Sequence, residues 1–159
     1  MKITLIAVGK IKESLYRDAV AEYAKRLSSY CELSLIEVED EPTREGASAA
    51  EEEAVRVKEG ERILAKLPKG AYPIALAIDG KARDSLEFAA WAENLAVAGQ
   101  SHLCFIIGGS LGLSAAVLSA AREKISFSKL TFPHQLMRVI FLEQLYRSFR
   151  IRRGEPYHK

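Results

Sequence analysis

Two stretches in the last third of the chain combine residue types that can hold a small organic ligand. Cys104-Phe105-Ile106-Ile107 runs apolar into Gly108-Gly109-Ser110-Leu111-Gly112-Leu113, and Phe127-Ser128-Lys129-Leu130-Thr131-Phe132 runs into Pro133-His134. Glycines after a strand let a backbone approach a ligand closely or take positive φ. The second stretch alternates bulky with small or polar residues, so as a short strand ending near Thr131 it leaves main-chain groups free at a sheet edge. Two such turns at the ends of adjacent strands can read an adenine edge or a carboxylate with N–H and C=O groups alone. Taken singly, the first is equally an ordinary strand-to-helix turn, and the second reads first as a buried strand with a well-formed helix start. The glycine spacing fails GxGxxG because Gly108 and Gly109 are adjacent. Gly80-Lys81 fails the phosphate-binding P-loop because Ala75 and Ala82 stand where a glycine and a Ser or Thr belong.

A third group closes the chain: Arg150, Arg152 and Arg153, then Tyr157-His158-Lys159. Guanidinium groups neutralise phosphate and an aromatic ring stacks on a base, so this reads as a flexible basic arm suited to RNA, although an inert terminus has the same composition. Net charge is only +2, but its distribution is uneven. From Arg138 to Lys159 six Arg or Lys face two Glu, whereas from Glu39 to Arg62 nine acidic residues face four basic ones. The three histidines, His102, His134 and His158, share no metal-ligand spacing, and Cys31 and Cys104 form no CxxC pair. Neither a metal site nor a disulfide framework is expected, and both cysteines read as buried apolar residues. Met1 leads straight into Lys2-Ile3-Thr4-Leu5-Ile6-Ala7-Val8, and no apolar run reaches membrane-spanning length, so a soluble cytoplasmic protein is expected.

The elements that must position these groups alternate. Strands are expected at Lys2 to Val8, Cys31 to Val38, Tyr72 to Ile78, His102 to Ile107 and Lys124 to Ser128. Helices are expected at about Lys12 to Ser28, Ala47 to Leu67, Ser85 to Ala98, Ser114 to Arg122 and Pro133 to Arg150. Ser85 and Ser114 read as helix caps and Pro133 as a first-turn residue. At 159 residues, 48% hydrophobic and 28% charged, the chain fits one domain over 1–159. The alternation predicts an α/β fold with a mostly parallel sheet and helices on both faces. Glu39 to Gly46 reads as a solvated loop. The last helix is apolar beyond a single stripe: Met137, Phe141 and Leu145 align, while Leu136, Val139, Ile140, Leu142, Tyr146 and Phe149 surround them. Such a helix is either central to its own domain or packed against two bodies, the second being another copy of the chain.

Read together, Ile106 to Leu113, Leu130-Thr131-Phe132-Pro133-His134, Leu145-Tyr146-Arg147, Pro156-Tyr157-His158, the opening Ile6-Ala7-Val8-Gly9-Lys10, and Glu22-Tyr23 with Arg26 resemble the RlmH family of SPOUT-class methyltransferases over the whole chain. The resemblance implies a C-terminal trefoil knot, a rare exception to unknotted topology, and a homodimer. It implies transfer of a methyl group from S-adenosyl-L-methionine to N3 of a pseudouridine in a hairpin loop of 23S ribosomal RNA, on the assembled ribosome. Carried over by position, the cofactor-binding residues are Leu76, Gly108, Phe127, Ser128, Lys129, Leu130, Thr131 and Phe132. Leu111 stands where the resemblance implies a polar residue. Displacement at a sulfonium methyl needs neither metal nor covalent enzyme intermediate. The residues implied to hold the target nucleotide are Arg152, Tyr157 and His158, with His158 or the arginine field stabilising the imide anion and His134 a second choice. In a dimer, the tail of one subunit completes the neighbour's pocket. Two other readings stay open: a related enzyme with a different RNA target, and a dimeric RNA-binding protein with a vestigial pocket.

Overall fold

A computed structural model describes residues 1–159. The apolar runs Leu5 to Val8 and Leu103 to Ile107 are buried on both sides of the chain, as strands inside a covered parallel sheet must be. The elements follow in the order β1 (Lys2–Val8), α1 (Ser14–Leu27), β2 (Glu32–Val38), α2 (Ala49–Lys66), β3 (Tyr72–Ala82), α3 (Ser85–Val97), β4 (His102–Ile107), α4 (Ala115–Ala120), β5 (Glu123–Ser126) and α5 (His134–Arg152). The five strands form one sheet in the order β2-β1-β4-β3-β5, every neighbouring pair parallel. Two cores lie on opposite faces. The larger joins Leu27, Phe88, Phe105, Phe141 and Leu145, and the smaller joins Ile6, Ile63, Ile106 and Val117. The α/β architecture with helices on both faces is as the alternation predicts.

Local chemistry explains most boundaries. The α2 start is a capping box between Ser48 and Glu51, and Ser114 accepts the Val117 N–H to cap α4. The α3 cap is Asp84 rather than Ser85: Asp84 Oδ1 accepts the Glu87 N–H while Glu87 accepts the Asp84 N–H. An ionised cap is the stronger acceptor at a helix N-terminus, and Ser85 is freed to donate to Gln144 Oε1 at 2.8 Å. Pro133 stands one place earlier than expected, at the N-cap of α5.

Two strands differ from the sequence reading. β3 does not stop at Ile78: it leaves the sheet after Leu76 and returns at Lys81, so that Leu76 and Lys81 both pair with Ile125. Gly80 makes the return possible, because a Cβ there would stand 2.5–2.7 Å from backbone atoms of Ile125. β5 ends at Ser126, so Phe127 to Phe132 forms a turn instead of a strand. Ser126 Oγ donates to Ser128 O, and Ser128 Oγ accepts the Leu130 N–H at 2.9 Å; these local bonds compete with strand pairing.

Helix α5 lies between α1 and α3 on one face. It buries Arg138, Phe141, Leu142, Leu145, Ser148 and Phe149, a stripe at helical spacing, and leaves Leu136, Val139 and Ile140 half-buried. The stripe begins with a charge. Arg138 is 3% exposed; its Nη2 donates to Val8 O and Gly9 O at 2.8 and 2.7 Å, and its Nη1 pairs with Glu37 at 2.7 Å. One guanidinium thus ties the start of α5 to the ends of β1 and β2. Replacing it strands two carbonyls, while Glu37, 43% exposed, keeps the Ile11 N–H, so Arg138→Ala is expected to cost about 2–4 kcal/mol in denaturant unfolding, with Arg138→Lys recovering little because an ammonium cannot fork. A loss under about 1 kcal/mol, the size of an exposed pair, would contradict this role.

Candidate functional site

The C-terminal ends of β3, β4 and β5 open on a cleft of about 380 Å³, within the roughly 300–1,000 Å³ of small-molecule sites. Its walls come from three segments: residues 76–79 where β3 leaves the sheet, the turn from Ile107 to Leu113, and the turn from Ser126 to Phe132, with His134 and Met137 of α5. The two turns singled out in the sequence therefore face one hollow. Of the eight positions carried over, Leu76, Gly108, Phe127, Ser128, Leu130, Thr131 and Phe132 line it. Lys129 is exposed and lies outside the lining.

The glycine wall is tight. A Cβ on Gly108 would lie 2.9–3.0 Å from Gly112 and Leu113 atoms, and Gly112 takes φ of +82°. Behind the turn, the carboxylate of Glu59 sits against Gly109 and accepts the Glu41 N–H at 3.0 Å. Burial, before any neighbouring charge, raises its pKa above the usual carboxylate value. Nothing in the sequence singled Glu59 out, because its partner in space lies fifty residues away. Leu111 lends the site its main chain and its bulk: its carbonyl accepts from Arg56 Nη1 at 3.5 Å and its side chain helps line the cleft. Two exposed apolar residues, Ile78 at 55% and Leu130 at 71%, line the cleft from different segments. Burial first, then the charge of Arg138, holds the His134 imidazole below its ordinary pKa, so it meets the cleft as a neutral hydrogen-bonding ring.

The C-terminal tail does not reach this cleft, and it is no loose arm. Tyr157 packs edge-on against Tyr146 at 5.0 Å, lies under the Arg147 guanidinium at 4.7 Å, and donates its hydroxyl to Glu143 Oε1 at 3.1 Å. Arg147 donates to His158 Nδ1 at 3.3 Å, which leaves the neutral ring's proton on Nε2. Arg150 donates to Pro156 O, and Arg152 lies over Phe149. The aromatic content that reads as base-stacking also supplies rings for the tail to pack on.

The remaining titratable candidates have structural places. His102 Nε2 bonds Thr4 Oγ1 at 2.8 Å. Burial pushes the thiols of Cys104 and Cys31 up to about 12 and about 11, so neither is a thiolate near neutral pH. No group of three or more His, Cys, Asp and Glu side chains is placed to hold a metal ion, and no helix is long and apolar enough to cross a membrane.

Comparison with known proteins gives this geometry a context. The family model described as "Predicted SPOUT methyltransferase" matches residues 1–158. The chain is 57% identical over 159 residues to the ribosomal RNA large subunit methyltransferase H of Listeria monocytogenes and 56% identical to that of Clostridium acetobutylicum, covering 100% of both chains in each case. Among solved structures, a probable methyltransferase from Bordetella pertussis Tohama I is similar with a TM-score of 0.52 at 16% identity, over 92% of this chain and 93% of that one; this is a likeness of fold alone.

The tail packing has a measurable signature. Desolvation, then the hydrogen bond to Glu143, pushes the Tyr157 phenol up to about 12. The raised value favours the protonated ring in the folded chain, so this contribution to stability is complete below pH ~10 and is lost as pH climbs through about 12. A spectrophotometric titration of the chain minus that of Tyr157→Phe should have its midpoint near about 12. A midpoint at the ordinary ~10 would mean the tail is untethered.

Proposed function

This chain belongs to the SPOUT methyltransferase family, and we propose that it uses S-adenosyl-L-methionine to methylate N3 of a pseudouridine in a hairpin loop of 23S ribosomal RNA, on the ribosome and in the cytoplasm. The observation that carries the reading is the convergence of the glycine turn and the 126–132 turn on one cleft of suitable size. The names of the full-length relatives supply the RNA class. The reading brings with it a trefoil threading of the segment after β5 and a homodimer.

The cleft residues fit such a cofactor by their chemistry. Leu76, Ile78 and Leu130 offer apolar surface to a purine face, while main-chain groups freed by the two turns offer donors and acceptors for its edge and for an amino-acid moiety. When bound, the cofactor would supply a sulfonium methyl group for transfer to N3, with the thioether as leaving group and the imide proton passing to solvent or a base. The chain's own task is positioning and charge. The turns hold the donor, and cationic and hydrogen-bonding groups of the tail orient the base and stabilise the imide anion. The N–H on His158 Nε2 fits it for donation to an imide oxygen, and Arg152 and Tyr157 complete the group.

The tail's place on α5 supports a shared site. Glu143, which holds Tyr157, lies nine residues beyond His134, about 14 Å along the helix axis. A tail group at the cleft mouth is therefore supplied by a second copy, and the half-buried Leu136 and Val139 are the surface on which that copy packs.

Ribosomes lacking the modification, incubated with the protein and methyl-labelled S-adenosyl-L-methionine, should take up label on pseudouridine only, with none when that position holds uridine. Label on another nucleotide would move the assignment to a different RNA target, and failure to bind the donor would leave an RNA-binding protein. Gly108→Ala should weaken donor binding by about tenfold or more in calorimetry, ~1.4 kcal/mol per tenfold, because the added methyl has no room in the turn.

A further inference from the structure

A second cavity, of about 330 Å³, adjoins the cleft and shares Ile125, Ser126, Phe127 and Phe132 with it. The excursion of β3 separates the two. Residues 77–79 line the first, and the strand re-enters the sheet at Lys81, which lines the second together with Arg83, Ser85 and Gln144. The two hollows differ in chemistry. The first is walled mainly by main chain and apolar side chains, with Asp79 and His134 among its polar groups, whereas the second carries the cations of Lys81 and Arg83, the carboxylate of Asp84, the hydroxyl of Ser85 and the amide of Gln144.

These groups are held in place. The Arg83 side chain is nine-tenths buried, lies over the Trp91 ring at 4.6 Å and pairs through Nη2 with Glu123 at 3.3 Å, while its Nη1 has no hydrogen-bond partner. An unpaired buried donor on a guanidinium costs stability and is kept where something else offsets it. Lys81 is exposed and makes no ion pair, and the Asp84 carboxylate, which also lines the cavity, is committed through Oδ1 to capping α3. Ser85 donates to Gln144, Gln144 donates to Glu143 Oε2, and Glu143 Oε1 accepts from Tyr157, so one hydrogen-bonded chain runs from the cavity to the tail. Phe127 is already packed on Phe88 and Phe141, but Phe132 lines both cavities, is half-buried and pairs with no other ring.

We propose that this second cavity is the acceptor-strand subsite, taking a nucleotide adjacent to the target so that Lys81 and Arg83 meet its phosphate and Phe132 meets its base. A methyl transfer between two substrates needs the acceptor strand held beside the donor. Cations with a free ring are what a phosphodiester and a splayed base require. The subsite rests on the methyltransferase reading of the cleft and extends it to the other substrate. It also accounts for Gly80-Lys81, a pair that does not belong to a P-loop: the glycine closes β3 onto Ile125 and thereby aims the lysine at the cavity.

Lys81→Ala is the direct test, since the side chain is exposed and its removal leaves the core intact. With unmodified ribosomes as acceptor, its KM for ribosomes should rise roughly tenfold while its dissociation constant for S-adenosyl-L-methionine and its melting temperature match the wild type. The salt slope of binding to the isolated RNA hairpin should fall by about one. Lys81→Arg should restore both, and Ser85→Ala should raise the same KM without moving the salt slope. An unchanged ribosome KM in Lys81→Ala overturns the subsite. So does a parallel loss of donor affinity, which would make the cavity part of the donor site, or dissociation of the dimer in sedimentation, which would make it a seat for a second copy. A wild-type protein that bound no donor would instead defeat the methyltransferase reading itself, and calorimetry on the wild type separates the two failures.

Discussion

The place of the last helix is set by a charge that the fold has buried. Arg138 reaches from the second turn of α5 to the carbonyls of Val8 and Gly9 and to Glu37, joining the helix start to the ends of two parallel strands. Hydrophobic packing along Phe141, Leu145 and Phe149 holds α5 against the sheet, but apolar contacts are non-directional and tolerate sliding. Forked hydrogen bonds to fixed carbonyls do not. Because α5 carries His134 and Met137 at its start, Gln144 in its middle and the tail tether at Glu143 and Arg147, its position along the sheet sets the spacing of all three.

The C-terminal edge of a covered parallel sheet is where strands end and main-chain groups come free. Here that edge is divided. β4 ends in glycines packed so closely that side chains are excluded, and β3 leaves the sheet for residues 77–80 before returning against Ile125. The excursion makes the lip of one cavity and, on its return, the floor of the next. A hollow mainly of main chain and apolar surface beside one lined by Lys81, Arg83 and Asp84 is a division suited to the proposed reaction between a small methyl donor and a polyanion.

Much of this was legible in the sequence, for identifiable reasons. Parallel strands buried on both faces show as unbroken apolar runs, so β1 and β4 could be read to their exact ends. Glycines crowded after β4 marked a backbone that needs close approach. What failed to show was whatever depends on pairing between distant residues. The return of β3 at Lys81 needs Ile125 beside Gly80, and the turn after Ser126 wins over a strand through hydroxyl bonds that periodicity does not encode. The capping choice of Asp84 over Ser85 could have been read from Glu87 three residues on. The tail was misjudged as loose because its composition suits both RNA and packing, and only the nearness of Tyr146, Glu143 and Arg147 decides for packing in the free chain.

Main-chain groups of two turns must meet one small molecule if the cleft is to work as proposed. Titrating isotope-labelled protein with S-adenosyl-L-methionine and following backbone amide resonances tests it most directly. Saturable shifts should concentrate at residues 76–79, 107–113 and 127–132, on both sides of a single hollow. Shifts confined to one of the two turns, or centred on Lys81, Arg83 and Ser85 instead, would contradict it.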